Sequence, residues 1–197
     1  MKQFQNYNDV KTIEERPVLP AGAYLCIIKD AKVAAYPTKD STGMFEKLEI
    51  AVDIAEGDFK DYYASDFAAQ TAEDKKWKGV IRNIYCPKDD GTEQDEWTKR
   101  KLKTLLVAIE ESNPGFHWDW DEKKLKGLKC GVLFQNQEYD FNGRHGWKAQ
   151  PVRIISLEDL KEGNFKLPDD LPIKKTAATV VPSATEFIPV TDDGLPF

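Results

Sequence analysis

Residues 45–58, "FEKLEIAVDIAEGD", decide how this chain folds. Leu48, Ile50, Val52 and Ile54 fall on one side of an extended backbone, and Lys47, Glu49 and Asp53 fall on the other. Side chains alternate across a strand with period two, so this pattern predicts a strand with one face on a core and a polar face toward solvent. Phe45 shares the polar side with Lys47, which points an aromatic ring away from the core.

Working outward, "RPVLPAGAYLCIIKDAKVAAYP" (16–37) opens on Pro20 and Gly22 and runs into β formers from Tyr24 to Tyr36. That stretch is too long for an unbent strand. "YPTKDSTG" (36–43) is a loop by composition. A third strand is expected within "WKGVIRNIYCP" (77–87), ended by Pro87. "DEWTKRKLKTLLVAIEESNPG" (95–115) has Leu102, Leu105, Leu106 and Ile109 at helical spacing, acids at its start, and Asn113-Pro114-Gly115 to stop it. Residues 123–157 predict two strands around Asn142-Gly143, the dipeptide that suits a tight hairpin, and "EDLKEG" (158–163) a closing helical turn. The fold class is mainly β. Five strands with a helix between the third and fourth is the arrangement of the OB barrel, which binds oligonucleotides across its second and third strands.

Bulk properties exclude several classes. The chain has 197 residues, 41% hydrophobic and 31% charged, enough for one buried core under a solvated surface. No apolar run approaches the ~18 residues that cross a bilayer, and the N-terminus lacks a signal-peptide core, so a bacterial cytoplasmic location and no membrane partner are expected. Cys26, Cys86 and Cys130 are odd in number and widely spaced, and His117 and His145 are isolated. Neither pattern suits disulfides or a metal site, and no cofactor is called for. The net charge is −6. All 28 Lys and Arg lie in residues 1–175, whereas Glu186, Asp192 and Asp193 lie beyond, so half of that charge sits in the last 22 residues.

The resulting organisation is an N-terminal extension (1–16), a domain (17–168) and a tail (169–197). "TAATVVPSATEFIPVTDDGLPF" (176–197) has no period that would bury a face and is expected to be disordered. Its closing "DDGLPF" resembles the acidic tip of bacterial and phage single-stranded DNA-binding proteins, with two Asp rather than a longer acidic run and a Gly in place of an acid. The stretches "LPAGAYLCIIKDAKV" (19–33), "IEESNPGFHWDWDEKKLKGLKCGVLF" (109–134) and "EDLKEGNFKLP" (158–168) resemble phage-encoded proteins of that kind. The resemblance implies an OB fold, single-stranded DNA binding, and a role in phage or prophage DNA replication, recombination and repair. Asp192, Asp193, Leu195, Pro196 and Phe197 would be the partner-binding tip. A terminal Phe offers a ring and an α-carboxylate on one residue, which a partner captures with an apolar pocket and a cation. OB proteins of this kind assemble as monomers, dimers or tetramers, so a homo-oligomer stays open.

Single strands are held by aromatic platforms and by cations that track phosphates. Candidates on the second strand are Phe45 and Lys47, and in the first loop Tyr36 and Lys39. Around the third strand they are Trp77, Lys78, Arg82 and Tyr85. On an unbroken strand Trp77 and Tyr85 share a face and Arg82 takes the other. The final hairpin adds Arg144, Trp147 and Lys148, with Tyr139, Phe141 and His145 nearby. Trp118 and Trp120 are expected to pack over the helix end. Two rivals remain. Asp119, Asp121 and Glu122 are clustered acids of the kind that hold Mg2+ for phosphodiester cleavage, but no Lys, His or further acid completes a site, so no enzyme is expected. The other is a protein-protein adaptor, an OB barrel that keeps the tip without strong DNA binding.

Overall fold

The computed structural model describes residues 5–9, 17–141 and 143–173. A five-stranded antiparallel sheet contains β1 (Gly22–Pro37), β2 (Met44–Ile54), β3 (Val80–Tyr85), β4 (Lys129–Phe141) and β5 (Arg144–Ile155). Its order is β3-β2-β1-β4-β5. Three helices accompany it: α1 (Tyr62–Ala69), α2 (Glu93–Ser112) between β3 and β4, and α3 (Leu157–Glu162). Asn83 on one edge strand donates its side-chain amide to the Val152 carbonyl on the other, at 3.0 Å. Among the described residues, no helix is long and apolar enough to cross a membrane.

Leu48, Ile50, Val52 and Ile54 are buried, as the alternation requires. They meet Cys26, Ile28, Ile81, Ile109, Val132 and Phe134 in one core. The long first strand bends where its register shifts between Ile28 and Asp30, leaving Lys29 as the additional residue. Gly22–Ile27 pair with β4, while Cys26–Pro37 pair with β2, so one strand serves two neighbours over different lengths. In α2, the Thr92 hydroxyl accepts the Asp95 N–H and acids occupy the first turn, where the helix dipole favours them. At the other end the Asn113 side chain donates to Ile109 and Lys129 carbonyls and accepts the Lys129 N–H, tying α2 to β4.

Four features differ from the sequence expectation. First, α1 lies in a stretch given no element. It covers the far end of β2, so Asp53, expected at the surface, is 0% exposed. Its carboxylate accepts the N–H groups of Ile54, Tyr63 and Ala64, two of them from the first turn of α1. Tyr63 then packs on Gly79, where a Cβ would lie 2.4 Å from the ring. Second, β3 begins at Val80, so Trp77 and Lys78 precede the strand rather than belong to it. Third, residues 169–171, assigned to the tail, are pinned beside β4 where β1 no longer reaches. Leu171 exchanges backbone hydrogen bonds with Asn136 and Glu138, at 2.8 and 2.9 Å, and Gln135 holds the Asp169 carbonyl. The Ile173 N–H adds a bond to the Glu138 carboxylate. Fourth, Trp118 packs against the core with its backbone N–H on the Glu110 carboxylate of α2, but Trp120 is 81% exposed and, among the described aromatic rings, touches Trp118 alone.

Candidate functional site

The outer face of the β1–β2–β3 sheet is built from the residues that alternate away from the core. Register places them in successive rows: Tyr36 beside Phe45, then Ala34–Lys47–Tyr85, then Lys32 beside Glu49, then Asp30–Ala51–Val80. From Phe45 to Ala51 the face runs about 20 Å at strand rise. α1 covers it beyond that point, at Asp53. The long reach of β1 and β2 past the end of β3 leaves Tyr36 and Phe45 at the open end.

Arg82 joins this face through a bulge. Leu48 pairs with Ile84 and Ile50 with Ile81, so Arg82 and Asn83 together oppose Glu49. Both isoleucines stay on the core side, and Arg82 emerges beside Tyr85 rather than opposite it. The expectation from unbroken alternation is therefore corrected: the bulge reverses the parity between the two ends of β3.

Three rings form a continuous row. Tyr36 and Phe45 stack with centroids 5.8 Å apart and planes 24° from parallel, and Phe45 and Tyr85 lie 5.7 Å apart at 30°. The Lys47 ammonium sits over all three, 5.3, 5.4 and 4.6 Å from the Tyr36, Phe45 and Tyr85 centroids. A cation at that distance is attracted to each ring face. Tyr85 remains 51% exposed.

Glu49 anchors the next row. Its carboxylate accepts the Tyr36 hydroxyl and pairs with Arg82 at 3.4 Å and Lys32 at 3.6 Å. Burial pushes its pKa up, but the Tyr36 hydroxyl, Arg82 and Lys32 together hold it below the ordinary glutamate value. The carboxylate thereby fixes the Tyr36 ring and the Arg82 side chain in place.

The other candidates lie elsewhere or are already engaged. Trp77 donates its indole N–H to the Val52 carbonyl at 3.1 Å and packs against Tyr63 and Phe67, so it is a half-buried wall rather than a free platform. Lys78 pairs with Asp66 of α1 at 3.0 Å. Lys39 is exposed in the β1–β2 loop, beside Asp40, whose carboxyl is held down to about 2 by hydrogen bonds from Thr38 and Thr42. On the hairpin, Arg144 pairs with Phe141 and Lys148 with Gln137, on the face opposite to Trp147, which pairs with Glu138. Among the described residues, no ring contact, hydrogen bond or ion pair links Arg144, Trp147 or Lys148 to the β1–β3 cluster. Asp192, Asp193, Leu195, Pro196 and Phe197 lie outside the described residues, as does Asn142.

Glu49, placed on this face by alternation, was not named as a candidate, and neither were Lys32 and Asp30. The alternation that identified Phe45 and Lys47 already carried Glu49, and β1 carries Lys32 and Asp30 on the parity of Tyr36. In the acidic loop, Asp119 pairs with Lys124, and Asp121 caps the short turn Glu122–Leu125. Among the described residues, no group of three or more His, Cys, Asp or Glu is placed to hold a metal ion. No protein-family model matches the chain, and no curated protein sequence matches it.

Proposed function

We propose that this chain is a single-stranded DNA-binding protein of the OB type, serving phage or prophage replication, recombination and repair. In this reading the outer face of β1–β2–β3 holds unpaired nucleotides. The observation that carries it is the row Tyr36–Phe45–Tyr85 with Lys47 above it. Partly exposed rings on adjacent strands offer successive bases a stacking surface that is indifferent to sequence. Lys47, Lys32 and Arg82 supply cations for the phosphates alongside. The barrel reading is supported by the strand order together with the Asn83–Val152 bond, which brings β3 and β5 together in the ring order of an OB barrel. The tip Asp192–Phe197 would recruit partner proteins.

The test is a titration of labelled oligo(dT) of about 30 nucleotides at low salt. Binding is expected, and its log–log salt slope should be about −2 if three phosphates are neutralised. Labelled strand incubated with protein and Mg2+ should return uncut. Glu49 gives the adaptor reading its one specific support, because it already pairs with Arg82 and Lys32. Failure of the oligonucleotide to bind at low salt selects that reading.

A further inference from the structure

Beyond the ring row, toward α1, the same face sinks into a depression of about 280 Å³. Ala51 is its floor, with Asp30 beside it on β1 and Val80 on β3, and Trp77, Lys76 and Arg82 close the sides. Its size falls just under the roughly 300–1,000 Å³ of sites that enclose drug-sized ligands, which suits one flat heterocycle. An apolar floor with a few convergent polar groups is the composition such sites have.

The polar groups are not equivalent. Both Glu49 oxygens are occupied, one by Tyr36 and Arg82 and the other by Lys32. Among the described residues, Asp30 makes no hydrogen bond or ion pair. Of the two carboxylates lining the depression, it is the one that no described residue occupies. Arg82 meets Glu49 through Nε, at 3.4 Å. Its terminal nitrogens are left to donate. β1 and β3 run about 10 Å apart on either side of β2, with Asp30 opposite Ala51 and Arg82 one row nearer the rings, opposite Glu49. A base lying there faces a carboxylate along one edge and a guanidinium along the other.

Only guanine matches both edges. Its N1–H and N2–H groups present two adjacent donors to a carboxylate, while O6 and N7 accept from Arg or Lys. Adenine and cytosine offer a single amino group, and thymine a single N–H between two acceptors. We infer that this depression is a guanine-reading subsite that gives an otherwise sequence-tolerant groove one preferred base. The inference rests on the proposed single-strand binding. Successive strand residues carry the chain from the ring row to the depression, so one bound strand reaches both.

The experiment compares the full-length protein on labelled dT strands of about 12 nucleotides, unmodified or carrying one central dG, dA, dC or deoxyinosine. One dG is expected to tighten binding about tenfold over dT alone, with dA and dC within about threefold of it. Deoxyinosine, which lacks the N2 amino group, should lose most of the gain. In Asp30→Asn the ratio of dG to dT affinity should fall toward one. Because Asp30 is exposed and has no partner among the described residues, melting of that variant should match the parent. Equal binding of the dG and dT strands overturns the subsite while leaving the groove standing. A dG preference that survives Asp30→Asn also overturns it. If the dT strand does not bind at all, the groove and the subsite fall together.

Discussion

Replacing Tyr85 with Ala separates stacking from charge on the candidate face. Tyr85 is 51% exposed and packs against Phe45 at 5.7 Å, with Lys47 above. Its hydroxyl has no hydrogen-bond partner among the described residues. Losing the buried half of one ring costs no more than about 2 kcal/mol of folding stability, so the variant should fold. Stacking on one aromatic side chain is worth about 1–3 kcal/mol per base. The dissociation constant for oligo(dT) should therefore rise about 5- to 150-fold at 25 °C. Tyr85→Phe retains the ring and should bind as the parent does. No phosphate contact is removed in Y85A, so the salt slope should not change. Lys47→Met should instead flatten that slope by about 0.7. Fluorescence anisotropy of a labelled strand at several salt concentrations measures both quantities without relying on protein tryptophans. Unchanged affinity in Y85A would refute the stacking argument, as would an affinity loss that appears only as an altered salt slope.

Other expectations concern stability and the C-terminal region. Asp53→Ala strands the N–H groups of Ile54, Tyr63 and Ala64, the first two of them buried, and should cost about 3 kcal/mol or more in urea denaturation; a loss below about 1 kcal/mol would contradict the role given to its carboxylate. Glu49 titrates below its unfolded value of about 4.3, so its stabilising contribution is complete above that pH and disappears as pH falls through the folded value. Urea midpoints between pH 7 and pH 3 should drop less in Glu49→Gln than in the parent. Truncation after Ile173 should leave the melting temperature unchanged, whereas truncation after Pro168 removes the bonds to β4 and should lower it by about 3–6 °C. Deleting Asp192–Phe197 should abolish partner recruitment and leave oligo(dT) binding intact or slightly tighter; pull-down and titration of the same protein check both.

The strands that the sequence made legible are those whose burial follows local alternation. β2 is the clearest, and β1 announced its bend by being too long to stay straight. α2 carried its own caps and spacing, and Asn142-Gly143 marked the hairpin. α1 was less visible: it is eight residues long, and the groups that start it are satisfied by Asp53, nine residues before its first residue. Only the tertiary approach of that helix explains why an acid on the polar side of β2 is fully buried. On the candidate face, alternation put Phe45 and Lys47 on the side away from the core, where the structure has them, and Tyr36 and Tyr85 stand next to them. Arg82 was assigned to the wrong side because a bulge carries no residue signature and reverses every side chain beyond it. The binding of residues 169–171 to β4 was hidden for a related reason, since backbone hydrogen bonds of that kind are nearly independent of side-chain identity.

The most direct test of the account is where an unpaired strand touches the protein. Oligo(dT) carrying a photoreactive uracil should crosslink to Tyr36, Phe45 and Tyr85, with peptide mapping by mass spectrometry placing the adducts on β1, β2 and β3. Adducts confined to the exposed rings of Trp97 or Trp120, or none at protein concentrations that saturate the strand, would contradict it.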